Sequence, residues 1–591
     1  MLIRAKLSQD DDNQIELRFG YNKALVEKIK SLPSRQWNND KKCWTIPLAG
    51  LNKLSKIHKQ IDLHESILQR IEEKRAEIQM IKEIKDLEAV DITIHGLKLE
   101  LRPFQTVGVY FLNTIQRGIL AFDTGLGKSV TAISQIINLK QDGKVNPIRK
   151  VLIIVPASLK RSWYSEFKKF TALKPLIIGA EYNKDGDYKE LKKKDREAQY
   201  ENDVDDAEII IINFELLVRD IKHLQEIPFV ATIIDEAQRI KGVQGKTTNI
   251  IKKHFRTPYR YLLSASPMEN GLEELWSLID YVNPGLFGSY WQFRGDHMEL
   301  GYFKEVIGYK DVKRFSEKAN QVMFRLNKKD VLKDLPPLTK QVIYIPLSTK
   351  QRKEYDNLRK KVMAEAVEKL TKLGDRAATE GRGTVMNTVL ALSRFVDFPG
   401  LIGDYLKEIE SSKCKETIAL LDSLMEQERK VIIFNRWTKS IAMLKAAIEE
   451  HNIEREKNKK PPIIVHQYHG DCKTTREDDK IAFQNSDHTH VMLMSTAGSV
   501  GLNLQEADCM IFYNITYNPL QNMQTLSRIY RMGQDSPVHI YYMATENTVE
   551  EKIYKINEKK QALFDEVVEQ DDIGDVLDDY SVDEIMEILK K

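Results

Sequence analysis

Apolar residues fall into two rhythms along this chain. Between residues 95 and 285, unbroken apolar runs alternate with stretches of helical spacing; the runs are RGILAF, KVLIIVP, EIIIINF, VATIIDEA and YRYLLSAS. They lack polar alternation, which predicts strands covered on both faces. Such strands alternating with helices predict a parallel, doubly wound sheet. The alternation returns after residue 411 with KVIIFN, PIIVHQYHG, HVMLMST, CMIFYN and VHIYYMA. Two α/β lobes are therefore expected, at 95–285 and 411–560. Residues 286–410 read as mainly helical, broken by DLPPLT.

Residues 1–60 read as a small α/β module. IELRFGY alternates like a strand, NKALVEKIKSLP follows with helical spacing, and RQWNNDKKCWTIPL ends in an aromatic strand. Residues 61–90 carry apolar positions at helical spacing without Gly or Pro, so a helical linker is expected over 61–94. Residues 561–591 read as an acidic tail in which a short terminal helix is expected.

Composition narrows the class. A chain of 591 residues suggests several domains, and 42% apolar content is enough for large cores. The net charge of +3 sets up no global field, so any surface for a polyanion must be local. Cys43, Cys414, Cys472 and Cys509 stand far apart, which fits reduced thiols and neither a disulfide framework nor a metal cage. The N-terminus lacks a signal-peptide core, and no membrane span is expected.

The chemistry begins at AFDTGLGKSV, residues 121–130. A phosphate loop needs a strand before it and a helix after it. RGILAF and KSVTAISQIINL supply both. Gly125 and Gly127 let backbone N–H groups turn inward around phosphate oxygens. Lys128 is placed to pair with the β- and γ-phosphates, and the Ser129 hydroxyl to hold Mg2+. Phe122 stands where the common pattern has its first glycine. A glycine turn entering an ordinary helix is the competing reading of this stretch alone. VATIIDEAQ then ends an apolar strand on Asp235 and Glu236, facing the crevice where such sheets bind ligands. Asp235 would hold Mg2+, and Glu236 would orient and deprotonate the attacking water. Taken alone, that acid pair also reads as a helix cap.

The remaining motifs run in order across the chain: LRPFQTVGVYFL, VLIIVPASLKRSWYSEFKKF, DEAQRIK, LLSASPMENGLEELW, FRLNKKDVLKDLPPLT, KVIIFNRWTKS, MSTAGSVGLNLQ and NPLQNMQTLSRIYRMGQ. Together they closely resemble the superfamily-two helicase-like ATPases of the Swi/Snf type. The resemblance covers roughly residues 95–590. In that family the loop reads Asp-Glu-Met-Gly-Leu-Gly-Lys-Thr, so the missing glycine is a family trait.

The resemblance implies two tandem RecA-like lobes closing over ATP, with 286–410 as helical protrusions and inter-lobe linker. It implies an ATP site of Asp123, Thr124, Gly125, Leu126, Gly127, Lys128 and Ser129, with Gln105 reading adenine and Gln524 nearby. Arg528 and Arg531 lie three apart, on one helical face. Arginine fingers on a mobile lobe make hydrolysis depend on closure. Ser264, Ala265 and Ser266, with Gln238, are expected to relay nucleotide state.

DNA-dependent hydrolysis is implied too, through backbone grip by Ser158, Asn213, Arg436 and Thr496. A solvated loop residue is the alternative at each. The family has Arg where Thr496 stands and Trp where Tyr517 stands. The N-terminal segment resembles the HARP module of annealing helicases in its IKSLP, in Arg35-x-Trp37 and in Trp44 before Ile46-Pro47-Leu48. There Trp37 and Trp44 would stack on exposed bases, with Arg35, Lys41 and Lys42 on phosphate. The alternative is that both tryptophans are simply core.

The expected cofactors are ATP and Mg2+. The expected partners are double-stranded or forked DNA and single-strand-binding or replication proteins, approached by a monomer with no membrane contact. The expected setting is a prokaryotic or phage nucleoid in the cytoplasm, or a nucleus in a eukaryote. The expected activity is translocation along duplex DNA with remodelling or reannealing of forks. A strand-separating DNA or RNA helicase is the runner-up, and an ATP-dependent clamp with little turnover is a third reading.

Overall fold

The structure is a computed structural model describing residues 2–8, 14–32, 35–141, 150–182, 188–268, 271–300, 306–331, 336–373, 382–472, 475–495, 504–516, 519–531 and 533–558. The unbroken apolar runs form the two central sheets. Among the described residues, the first sheet has seven parallel strands. Their order is Met323–Leu326, Arg117–Phe122, Tyr259–Leu263, Phe229–Asp235, Lys150–Val155, Ile209–Asn213 and Pro175–Ile177. Successive side chains enter opposite cores. Ile119, Leu152, Ile154, Ile210, Ile212 and Ile234 point to one, while Leu120, Phe122, Val151, Ile153, Ile211 and Ile233 point to the other. A strand wetted on neither face needs apolar residues at every position, which is why no alternation was visible.

The second sheet has six parallel strands among the described residues. Their order is Leu338–Ile345, Val538–Thr545, Cys509–Phe512, Val431–Phe434, His490–Met494 and Ile464–Tyr468. It too has a core on each face. Both lobes are thus parallel sheets flanked by helices, as the sequence predicts.

Residues 286–410 depart from the helical expectation. Met298–Leu300 and Val306–Tyr309 pair as an antiparallel ribbon. Met323–Leu326 completes the edge of the first sheet, and Leu338–Ile345 that of the second. Long helices follow at Thr349–Leu373 and Arg382–Asp397. Edge strands hide this way because they are short or half-wet. Leu338–Ile345 buries just its last residue fully.

In the N-terminal module, the strands lie in the order Gln36–Asn38, Cys43–Pro47, Gln14–Arg18, Ile3–Leu7 and Ile61–Leu63. The last of these corrects the expected linker. Residues 61–63 pair parallel with Ile3–Leu7, and the helix runs from Glu65 to Lys85. Three residues of I-D-L carry too little periodicity to betray a strand whose partner lies 58 positions upstream. The helix buries Ile67 in the module core and Ile84 in the core of the first lobe. Ile71 also packs against the module core and Ile81 against that of the first lobe, so the helix is a strut between the two domains. At 1.5 Å per residue it spans about 30 Å. Lys53 of the module also pairs with Asp296 of the first lobe at 3.1 Å.

The second lobe is braced by a buried ionic knot. Lys413 Nζ meets Asp397 Oδ1 at 3.1 Å and Glu550 Oε1 at 2.5 Å, with Lys413 and Asp397 fully buried. Asn514 and Ser440 donate to the same Asp397 carboxylate. Removing one partner leaves uncompensated charge in the core. Lys413→Ala is expected to cost ~3–5 kcal/mol in a urea unfolding titration; a loss under about 1 kcal/mol, typical of an exposed pair, would contradict this. Among the described residues, no helix is long and apolar enough to cross a membrane.

Candidate active site

The strand Arg117–Phe122 runs into the loop, and the helix Lys128–Gln141 leaves it. Phe122 is the last strand residue, fully buried and edge-to-face with Phe324 at 5.3 Å. Its side chain belongs to the core, so the glycine pattern starts late. Gly125 and Gly127 have φ of +85° and +78°, a region that penalises any Cβ. A Cβ on Gly127 would also stand 2.3 Å from Gln105 Nε2.

Lys128 Nζ donates to the carbonyls of Phe122 at 2.8 Å and Asp123 at 3.2 Å. Burial lowers its pKa, opposed by Glu236, Asp235 and Asp123. Gln105 lies beneath the loop: its Nε2 donates to the Leu126 carbonyl at 3.2 Å and its Oε1 accepts from Arg102 N. Its Nε2 carries a second N–H and its Oε1 a second lone pair. Thr124 and Ser129 are half-buried in the same segment.

Asp235 closes the strand Phe229–Asp235 in the same sheet, and Lys128, Asp235 and Glu236 interact electrostatically. Trp163 Nε1 donates to Asp235 Oδ2 at 2.9 Å, and the Glu236 N–H donates to Oδ1 at 2.9 Å. Burial, then the neighbouring Glu236, pushes the Asp235 carboxyl up to about 6. Glu236 has φ of +51°, a costly backbone state for a non-glycine residue. From it runs a chain of hydrogen bonds. Gln238 Nε2 donates to Glu236 Oε2 at 2.6 Å, Ser264 Oγ to Gln238 Oε1 at 2.7 Å, and Ser266 N to Ser264 Oγ at 3.1 Å. Ala265 sits between the two serines. The residues expected to relay nucleotide state are therefore physically continuous with Glu236.

The arginines of the second lobe reach this crevice. A Cβ on Gly125 would stand 3.1 Å from Arg531 Cβ. Arg528 feels Glu236 and Asp235, while burial lowers its pKa to about 10. Arg531 feels Glu166 and Glu506. Gln524 lies on the helix Pro519–Leu526, just before the pair.

The expected DNA contacts fare differently. Ser158 is exposed in the turn after Lys150–Val155. Asn213 ends the neighbouring strand but is buried, its Nδ2 donating to Glu215 Oε2 at 2.6 Å and its Oδ1 without a hydrogen-bond partner. Arg436 follows Val431–Phe434, its backbone N–H held by Asn514 and its guanidinium over the Trp437 ring. Thr496 and Tyr517 lie outside the described residues. On the module, Trp37 is 47% exposed and edge-to-face with half-buried Trp44 at 5.4 Å. Arg35 donates to the Leu32 carbonyl. Lys41 is half-buried and its Nζ pairs with Glu16 Oε1 at 2.8 Å.

Three residues here escaped sequence reasoning: Trp163, Glu166 and Lys328. The first two share a helix face as W-x-x-E in SWYSEF, a spacing that marked them as a pair. Glu166 lies near Asp235 and Arg531, and burial pushes its carboxyl up to about 7. Lys328 follows the unforeseen edge strand.

Two parallel-sheet lobes, a phosphate loop with an acid pair on one, and an arginine pair brought over them from the other define a helicase-like ATPase. The family profiles agree. The SNF2-related domain matches residues 47–401, the helicase conserved C-terminal domain 412–533, and the HepA-related protein (HARP) module 15–69. The chain belongs to the SNF2 family and carries a HARP module. It is 28% identical over 494 residues to the putative ATP-dependent helicase/translocase YwqA of Bacillus subtilis, covering 80% of this chain and 50% of that protein. It is 29% identical over 501 residues to the SWI/SNF chromatin-remodeling complex subunit snf22 of Schizosaccharomyces pombe, covering 79% of this chain and 28% of that protein. The chain thus spans half or less of these relatives. The Sulfolobus solfataricus SWI2/SNF2 ATPase core in complex with dsDNA is 27% identical, with 81% of this chain and 94% of that one covered, at a TM-score of 0.38.

Proposed function

We propose that this chain is a DNA-dependent ATPase that translocates along double-stranded DNA and remodels or reanneals branched and forked DNA. The observation that carries the reading is the approach of Arg531 to Gly125 across the lobes. Hydrolysis in such a site requires closure, and repeated closure on a gripped backbone becomes stepping. Lys128 would hold the β- and γ-phosphates, and Glu236 would orient the attacking water. Arg528 and Arg531 would stabilise the charge spreading over the transferred group. Ser129 and Asp235 offer a hydroxyl and a carboxylate oxygen, a hard donor set that suits Mg2+. Among the described residues no group of three or more His, Cys, Asp or Glu forms a metal cage. An ion shared with nucleotide phosphates fits that donor set, and when bound it neutralises phosphate charge.

Fork preference rests on the HARP module, where half-exposed Trp37 offers a face for an unpaired base. One relative is named a putative helicase/translocase and another a chromatin-remodelling subunit, so the choice between duplex tracking and strand separation falls to experiment. The test compares duplex, single-stranded and forked DNA and RNA as activators of hydrolysis at one stated salt concentration. Duplex and forked DNA are expected to stimulate most. The active chain is then expected to rewind a bubble held open by single-strand-binding protein, and not to displace an annealed oligonucleotide. Efficient displacement without rewinding would make it a strand-separating helicase.

A further inference from the structure

The segment between the lobes touches Tyr530 of the second lobe at two points. Its first contact is Lys328. The Lys328 backbone N–H donates to Asp123 Oδ2 at 2.9 Å, and the Asp123 N–H donates to the Leu326 carbonyl at 2.9 Å. The segment is therefore stitched to the start of the phosphate loop. From that anchor Lys328 Nζ crosses the cleft and donates to the Tyr530 carbonyl at 2.7 Å. Farther along, the Pro336 carbonyl accepts from Tyr530 Oη at 3.3 Å. Tyr530 sits between Arg528 and Arg531 in sequence. Tyr530, one of the two residues between the arginines, is thus held at its backbone carbonyl and at its ring hydroxyl.

Lys328 is an unusual occupant of this place. Its Nζ lies 3.7 Å from where a Cβ on Gly125 would be, over the loop itself. Lys128, Arg528 and Arg531 also act on it, with Asp123 as the acidic counterweight. Leaving an ammonium among three other cations is costly. A residue with no task at this position would be better neutral. The task the contacts display is geometric: a long amine-tipped stem, fixed at its base to one lobe, hydrogen-bonds the main chain of the other.

We propose that Lys328 is a positioning residue for hydrolysis, bridging Asp123 to the Tyr530 carbonyl so that Arg528 and Arg531 are aimed at the phosphate loop when the lobes close. This rests on the ATPase reading above and adds to it the part that sets the angle of the arginines. The inter-lobe segment then acts as a gauge as well as a tether.

The experiment uses the full chain with duplex DNA. ATP affinity is read with a fluorescent ATP analogue, and turnover is read at saturating ATP. Lys328→Met keeps the stem and removes the donor. It is expected to lower turnover ~10- to 100-fold, the cost of slight misplacement of catalytic groups, with ATP affinity nearly unchanged. Lys328→Arg, which keeps a cationic donor, is expected to recover part of the loss. If Lys328 works through the arginines, Lys328→Met added to Arg531→Ala costs far less than it does alone. Lys328→Gln carries the same test should the Met variant aggregate. Wild-type hydrolysis in the same assay checks the parent reading. Given that activity, wild-type turnover in Lys328→Met, or full additivity with Arg531→Ala, overturns the positioning role. A loss of ATP affinity exceeding the loss of turnover would make Lys328 a nucleotide ligand and overturn it equally.

Discussion

Arg531→Ala is expected to leave ATP bound at close to wild-type affinity and to lower DNA-stimulated turnover by ~10³ or more, the range seen for arginine fingers supplied across an interface. The split follows from where the residue stands. Lys128, Gly125, Gly127 and Gln105 belong to the first lobe and build the phosphate loop without help from the second. Arg531 reaches that loop from the second lobe, against Gly125. In the proposed mechanism its charge would therefore be added on closure, when the transferred group needs it most. Its Nε is buried without a hydrogen-bond partner, and so is Oε2 of Glu166, one of the groups whose charge it feels. Steady-state turnover beside an ATP-binding titration checks the claim. Turnover within about threefold of wild type would remove the closure argument, since a finger residue contributes orders of magnitude.

Glu236→Gln is the second large effect, expected to reduce hydrolysis ~10²–10⁴-fold with ATP and DNA still bound, as for loss of a general base. Glutamine keeps the shape and the partner: Gln238 Nε2 can donate to an amide oxygen as it does to Glu236 Oε2. It lacks the basic oxygen that, in the proposed function, would draw a proton from water. The left-handed backbone at Glu236 sets the direction of this side chain, and the chain through Gln238 and Ser264 to Ser266 ties it to the next strand end. A single-turnover assay with prebound ATP separates the chemical step from release. Unchanged single-turnover rates would move the base to another residue.

Much of this was legible because burial writes itself into sequence. Runs such as EIIIINF announced strands with two dry faces, and their spacing announced helices between them. The loop at 123–129 and the acids at 235–236 were legible for a related reason: glycines with positive φ and acids at strand ends are tied to local backbone geometry. Arg528 and Arg531 were read as one helical face, but the helix ends at Leu526 and both stand in the turn beyond it, where folding of the loop rather than helical spacing brings them together. Phe122 was read as a departure, and its burial against Phe324 explains it.

The rest depended on partners far apart in the chain. Ile61–Leu63 becomes a strand through Ile3–Leu7, and Met323–Leu326 through Arg117–Phe122. Neither tripeptide nor tetrapeptide has enough periods to signal alone.

What the sequence by itself determined was the set of parts: two doubly buried sheets, a phosphate loop, an acid pair and an arginine pair, each encoded within a few neighbouring residues. The tertiary structure decided how the parts face one another. Trp163 on Asp235, Arg531 on Gly125 and Lys328 on Tyr530 are pairings across 72, 406 and 202 positions. Such contacts exist once packing has brought whole lobes together, and no local pattern of side chains specifies them.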